Sequence, residues 1–407
     1  MADLVFAFDP ALDRPLPRLD AAPAEVAEAV AAAAMRAFLS AVTTARREEA
    51  AALVLFGRVL DPRRASPAQA FTLRSAITEL AALGCRTIWL AADSAAAAEA
   101  ARMLGEPAGL EVLTPASPLR LEIRGLGVEL VAAAGRHAAS PRHPHDRRII
   151  LGCDGGLWNA QRFDDEPATA DVRTLTGGGE PLAGDFRIWG SRCRPLTAGV
   201  HHLPALQARS PHESAAGSCG VLTLLDHPAD DDGGPEHARR DPLASRGDWR
   251  HAWREVPTHH VLWRTISVPS ATGGDEELAA EVWSALESLH TGADGPLEII
   301  RCHVECGTSV ARRVRVAEIS AETLARVRHL CVARACRGWC QELLADPCES
   351  LAALGHSRSG ARPGSTTSFS TALADIVGGI EHDPARTIPA DLARESAWLA
   401  LELIEST

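Results

Sequence analysis

The 407-residue chain contains no tyrosine, no lysine and a single asparagine, Asn159. All 41 basic residues are therefore arginines. Without lysine the chain can form no Schiff base and has no P-loop lysine, which excludes the Walker-type nucleotide hydrolases. Any site that needs an asparagine ligand must use Asn159 or do without one.

The net charge and the cysteine pattern bear on whether the chain binds nucleic acid and on its cellular compartment. The formal net charge is -12, whereas surfaces that bind nucleic acid rely on clustered Lys and Arg. Direct binding of nucleic acid would therefore need a local basic patch or a basic partner. The ten cysteines lack paired spacing and the start of the chain lacks a basic segment, which predicts a cytoplasmic protein with reduced thiols. The apolar stretch 21–42 carries three charges and predicts an Ala-rich helix rather than a membrane span.

Strand and helix patterns alternate along the first half of the chain. Helical periodicity predicts helices at 25–50, 67–83 and 94–104. Apolar runs predict strands at 4–8, 53–56, 87–90, 119–123, 128–132, 148–152, 185–189 and 220–225. This alternation indicates an α/β fold with a largely parallel sheet, and the close pair 119–123 and 128–132 indicates an antiparallel hairpin.

The second half of the chain begins after a stretch rich in Asp, Gly, Pro and Arg, at 227–248, which is typical of an exposed boundary. A strand–helix–strand pattern follows at 259–305, and the remaining sequence has mostly helical periodicity. We therefore predict four regions: a large domain at 1–228, an acidic linker at 229–250, a small α/β domain at 251–316 and a mostly helical segment at 317–407.

In segment 317–407 we expect Cys331, Cys336 and Cys340 to lie on a helix, as buried thiols rather than zinc ligands. Trp339 and Leu343 are expected on the same helical stretch. Their apolar face either packs within this chain or binds a partner.

Five short segments lie at the ends of predicted strands, and each contains an acidic residue or a glycine. They are Asp9-Pro10-Ala11-Leu12-Asp13-Arg14-Pro15-Leu16, Phe56-Gly57-Arg58-Val59-Leu60-Asp61, Trp89-Leu90-Ala91-Ala92-Asp93, Ile150-Leu151-Gly152-Cys153-Asp154 and Phe186-Arg187-Ile188-Trp189-Gly190-Ser191-Arg192-Cys193. In order and spacing they resemble the motifs of the metallophosphoesterase (calcineurin-like phosphoesterase) superfamily. Those motifs are Asp-x-His, Gly-Asp-x-x-Asp, Gly-Asn-His-Asp, a lone His and Gly-His-x-His.

This resemblance implies a four-layer α/β/β/α sandwich followed by a small α/β capping domain and a helical tail. In the family, two metal ions lie between the strand-end loops and direct the attack of water on a phosphodiester. The corresponding cleft of this chain consists of Asp9, Ala11, Arg58, Asp61, Ala91, Ala92, Asp93, Cys153, Ser191 and Cys193. Seven of the eight family ligand positions are substituted, with Asp9 the exception. We therefore expect no bound cofactor, and an ion pair between Asp9 and Arg58 in place of the metals.

A further segment resembles one branch of the superfamily, the SbcD/YhaO-like DNA-repair exonucleases. Gln207, Arg209 and Glu213 fit its Gln-Gly-Arg-x-x-x-Glu pattern, and the run 261–264 fits the start of its capping domain. In that branch the segment after the capping domain docks on the coiled coil of an SMC-like ATPase. The resemblance thus implies such a partner for residues 317–407.

Three functions are consistent with these features. The first is a non-catalytic scaffold or regulatory partner of an SMC-like DNA-repair ATPase. The second is an active phosphodiesterase or DNA exonuclease with two manganese ions, held by a rebuilt site of Asp9, Asp93, Asp154 and His201 or His202. The third is a module that binds a phosphate or nucleotide through Arg58 and Arg192.

Overall fold

A computed structural model describes residues 2–17, 19, 21–91, 94–114, 118–132, 147–153, 185–191, 200–211, 213, 216–225, 250–269, 275–289, 295–305, 320–333 and 337–345. The strands are β1 (Leu4–Phe8), β2 (Ala52–Phe56), β3 (Arg86–Leu90), β4 (Leu110–Leu113), β5 (Leu119–Ile123), β6 (Leu126–Ala132), β7 (Arg147–Cys153), β8 (Asp185–Gly190), β9 (His201–Leu203), β10 (Ser218–Leu225), β11 (Arg250–Pro257), β12 (Val261–Pro269), β13 (Leu297–Glu305) and β14 (Gly338–Ala345). The helices are α1 (Ala24–Arg47), α2 (Pro67–Ala82), α3 (Ser94–Leu104), α4 (Asp275–Leu289) and α5 (Ser320–Ala333). The chain divides into two compact units, Met1–Arg18 with Ala24–Leu262, and Leu19–Pro23 with Trp263–Thr407.

The first unit is built on a six-stranded sheet in the order β11-β10-β1-β2-β3-β4. Strands β1 to β4 are parallel, β10 pairs antiparallel with β1, and β11 pairs antiparallel with β10. Phe8 pairs with Phe56, so the carboxyl ends of β1 and β2 lie at the same edge of the sheet. The segments that follow these strands are therefore neighbours in space.

Both faces of this sheet are buried, which explains the continuous apolar runs of its central strands. On one face, Val5 and Leu53 share a core with Phe38 of α1 and Ile77 of α2. The capping box of Ser66 and Gln69, with Pro67 in the first turn, fixes the start of α2.

The opposite face of the first sheet packs on a second sheet, in the order β5-β6-β7-β8-β9. Their common core contains Phe6 and Val54 from the first sheet and Leu130, Ile149 and Ile188 from the second. The predicted β5–β6 hairpin is confirmed, and strands β6 to β9 are parallel. The unit is thus an α/β structure with mixed sheets and helices on the outer face of the first. Residues that connect β6 to β7 and β7 to β8, where a fourth layer would arise, lie outside the described part.

The second unit has a three-stranded sheet in the order β12-β13-β14, and α5 packs against both α4 and β14. The predicted strand–helix–strand pattern is confirmed as β12, α4 and β13. Its buried residues include Val282 and Leu286 of α4, Ile300 of β13 and Val327 of α5.

The helix expected to include Trp339, Cys340 and Leu343 is wrong, because residues 338–345 form the strand β14. A bulge opposite Ile300 and Arg301 inserts Gln341 as an extra residue. The buried side chains of Trp339, Cys340 and Leu343 are therefore spaced like those on one helix face. The two units divide after Leu262, and β11 belongs to the sheet of the first unit. The four predicted regions stay a prediction.

Helix α1 is long and apolar enough to span a membrane by length and composition. Its apolar side chains nevertheless contribute to the core beneath the first sheet, through Ala37, Phe38, Ala41, Val42 and Ala45. This packing is that of a core helix. The cytoplasmic location stays a prediction.

Two glycines with similar backbones provide a matched test of the close approach between Ala81 of α2 and Gly109, the residue before β4. Gly109 has φ +81 and a Cβ there would lie 2.5 Å from Cβ of Ala81, whereas Gly84 has φ +79 and nothing within 4 Å. Gly84→Ala should cost about 1–2 kcal/mol for the left-handed backbone alone. Gly109→Ala should cost a further 1–3 kcal/mol, roughly, from overpacking. Urea denaturation measures both, and equal losses would contradict the close approach.

Candidate functional site

The ends of the central strands of both sheets meet around Phe8. Phe8 forms a bridge with Ala205, and its carbonyl oxygen accepts a hydrogen bond from the backbone N–H of Leu206 at 2.9 Å. A Cβ on Gly190 would lie 2.3 Å from Cδ2 of Phe8, and one on Gly57 would lie 2.8 Å from Cε2. The Phe8 ring thus lies against both glycines. The structure therefore brings together the first, second and fifth motifs.

The loops after β1 and β2 are joined by hydrogen bonds along their length. Oδ1 of buried Asp9 accepts the backbone N–H of Arg58 at 3.2 Å, and Oδ1 of Asp13 accepts that of Asp61 at 3.0 Å. The backbone N–H of Ala11 donates to the Arg58 carbonyl at 2.8 Å. Asp9 and Ala11 have φ of 47 and 42, the left-handed region that non-glycine residues rarely adopt. The side-chain ion pair between Asp9 and Arg58 stays a prediction.

The guanidinium of Arg209 binds the loop after β1 from the other side. It donates to the carbonyl oxygens of Arg14 at 2.6 Å, Ala11 at 2.8 Å and Pro10 at 3.3 Å. The backbone N–H of Arg209 donates to Oε2 of Glu213 at 3.0 Å. The buried, positively charged side chain of Arg209 therefore fixes the conformation of this loop.

Gln207 connects the same segment to the residues that precede and begin β12. Its Nε2 donates to the carbonyl of Val261 at 2.6 Å, and its Oε1 accepts the backbone N–H groups of His260 at 2.9 Å and Val261 at 3.1 Å. The ring of His260 lies 3.0 Å from Oγ of Ser40. Burial lowers the pKa of His260, and the charges of Arg36 and His259 lower it further. Gln207 and Arg209 are thus structural residues, a role that their sequence pattern alone did not indicate.

Most of the described ligand positions are closed to solvent. Each of the following side chains is at most 4% exposed: Asp9, Ala11, Ala91, Cys153 and Ser191. Arg58 and Asp61 are half-buried. Ala92, Asp93 and Cys193 lie outside the described residues, as do Asp154 and Arg192. Within the described part, no group of three or more His, Cys, Asp or Glu side chains could hold a metal ion.

His201, one of the candidate ligands, lies in an aromatic cluster. Its ring stacks on Phe186 with centroids 4.4 Å apart and lies 5.3 Å from the ring of Trp253. His202 follows it on β9, opposite Trp189. A role for either histidine in metal binding stays a prediction.

Neither the protein-family models nor the curated proteins give a match to this chain. The likeness of its strand-end motifs to those of the metallophosphoesterases is therefore a basis for proposals about its activity.

Arg209 is expected to hold the loop after β1 in place. Arg209→Met leaves three buried carbonyl oxygens without this donor and should cost about 2–4 kcal/mol of unfolding free energy. Arg209→Lys should recover only part of the loss, because an ammonium cannot reproduce the planar arrangement of donors. Exposed Arg64 is the control, and Arg64→Met should change stability by at most about 0.5 kcal/mol. Equal effects of the two Met variants in urea denaturation would refute the role of Arg209.

Proposed function

We propose that this chain is a non-catalytic relative of the SbcD/YhaO-like nuclease subunits and acts as a scaffold or regulatory partner of an SMC-like DNA-repair ATPase. The observation that carries the first part is the closure of the cleft. Five described side chains at family ligand positions are buried, and four of them, Ala11, Ala91, Cys153 and Ser191, are small and uncharged. Arg58 is half-buried.

The charges around Asp9 argue further against a pair of divalent cations. Such a site needs bridging and terminal ligands with negative charge or free electron pairs. Arg58 instead places a permanently protonated side chain where the family has a bridging carboxylate. Arg209 adds a second cation on the other side of the same loop. A metal ion at Asp9 would be repelled by both.

The hydrogen bonds of Asp9 also give it a structural role within the protein. One carboxylate oxygen accepts the Arg58 backbone N–H, and the Asp9 backbone N–H donates to the Phe56 carbonyl at 2.9 Å. Asp9 therefore joins two loops, a structural role that accounts for its retention.

The proposed partner rests on the resemblance of segments 204–220 and 261–264 to those of the SbcD/YhaO-like exonucleases. Trp339 and Leu343 do not form an exposed apolar face for a partner, because both are buried in β14. The contact with an ATPase would then involve other parts of residues 317–407, of which 346–407 lie outside the described part.

Metal content tests the non-catalytic assignment directly. After incubation with excess manganese and gel filtration, the chain should retain much less than one ion per molecule by mass spectrometry. It should hydrolyse a generic phosphodiester no faster than buffer does, with or without Asp9→Ala, while a known manganese phosphodiesterase is active in the same assay. Two retained ions per chain, or hydrolysis that Asp9→Ala abolishes, would establish the rebuilt active site instead.

The partner is tested by deletion of residues 346–407, which leaves every described element in place. The tagged full chain should recover an SMC-like ATPase from its native cells, and the deletion variant should not. Phe71→Ser is the matched control, because Phe71 is 71% exposed on α2 of the first unit and the variant should still recover the ATPase. Recovery of the ATPase by none of the proteins would contradict the proposed partner, and recovery by the deletion variant would contradict a contact through residues 346–407.

A further inference from the structure

Two buried cysteines of the second unit are in contact across neighbouring strands. Cys302 of β13 and Cys340 of β14 are both fully buried, and their sulfur atoms lie 3.7 Å apart. This distance is close to van der Waals contact, so no other group separates the thiols. Formation of a disulfide would bring the sulfur atoms to about 2.05 Å.

The bulge in β14 accounts for this placement. Before the bulge Ile300 pairs with Cys340, and after it Cys302 pairs with Leu343. Cys302 is two residues beyond Ile300 and shares its face, so the two thiols are diagonal neighbours on one side of the sheet. The same side carries Leu343, and the three side chains are buried together.

Arg328 of α5 holds the bulged part of β14. Its guanidinium donates to the carbonyl of Cys340 at 3.0 Å and to that of Gln341 at 2.6 Å, and lies 5.2 Å from the centre of the Trp339 ring. Glu342, the next residue, forms an ion pair with Arg301. The position of Cys340 relative to Cys302 is therefore fixed from two sides.

We infer that Cys302 and Cys340 form a reversible redox pair, which a low-molecular-weight disulfide such as oxidised glutathione converts to an intrachain disulfide. The thiolate of Cys340 attacks one sulfur of the oxidant, which gives a mixed disulfide and releases one glutathione thiolate. The thiolate of Cys302 then attacks the protein-bound sulfur and releases the second. Two protein thiols are oxidised, the oxidant is reduced to two thiols, and the protons pass to solvent or to the released glutathione.

The reaction depends on local opening of β14. The hydrogen bond with Cys302 and burial raise the pKa of the Cys340 thiol, so little of the reactive thiolate is present at neutral pH while the strand is docked. Among the described strands, β14 is at the edge of its sheet, and its separation from β13 would expose both thiols at once. The oxidised pair would then join the two strands covalently and close a loop that includes α5.

The two thiols act as a pair and not as part of a described metal site. Within the described residues, no third His, Cys, Asp or Glu side chain completes a group able to hold a metal ion. Burial likewise raises the pKa of Cys85 and of Cys219 in the first unit, each to about 11.

Peptide mapping of the oxidised full chain tests the proposal. After equilibration with oxidised glutathione and alkylation of the remaining thiols, trypsin should release peptides 302–312 and 338–358 joined by a disulfide. Each peptide carries a second cysteine, Cys306 and Cys348. Cys306→Ser and Cys348→Ser are therefore matched controls that should keep the link, whereas Cys302→Ser and Cys340→Ser should remove it.

The unmodified chain provides a test that does not require the variants to fold. Its linked peptides should fragment to show Cys302 bonded to Cys340, and dithiothreitol should restore both thiols. The oxidised chain should melt several degrees higher than the reduced chain, because the cross-link limits the unfolded state. Recovery of Cys302 and Cys340 as alkylated thiols after equilibration, or a link through Cys306 or Cys348, would overturn the inference.

Discussion

The loop after β1 depends on the guanidinium of Arg209, which lies among three backbone carbonyl oxygens. A planar cation can satisfy several acceptors at once, and burial strengthens each of these hydrogen bonds. These hydrogen bonds consequently define the shape of the loop. Because the backbone and aspartates of this loop also bond to the loop after β2, the positions of Asp9, Arg58 and Asp61 follow from the same anchor.

Closure of the cleft has a simple physical basis. Alanine, serine and cysteine side chains fill a protein interior without bringing charge into it, so the strand ends can pack as an ordinary core. Phe8 completes this packing, since its ring lies against Gly57 and Gly190 where two motifs meet. A scaffold needs only such a stable arrangement, whereas hydrolysis needs charged ligands and access for water. On the proposed function, the chain keeps the fold of the family without its activity.

Much of the fold could be predicted from the sequence, because the central strands are continuous apolar runs between amphipathic helices. Strand β4 was missed because it is a short, half-buried edge strand, and β11 because charged residues interrupt it. Residues 338–345 were assigned to a helix because the bulge at Gln341 gives a strand helical spacing. For the candidate site, the order of the five motifs along the sequence predicts which strand ends carry its residues. The contact between Arg209 and Arg14 was beyond prediction because 195 residues separate them.

Full burial of Ser191 limits how this chain could change. A histidine there needs a much larger volume than serine, and an overpacked core costs roughly 1–3 kcal/mol. Ala11 imposes the same limit at the first motif. On the proposed function, a single change back to a family ligand would therefore lower stability before a second could create any metal affinity. The loss of catalysis would then be hard to reverse, because each single-substitution intermediate is less stable than the present chain.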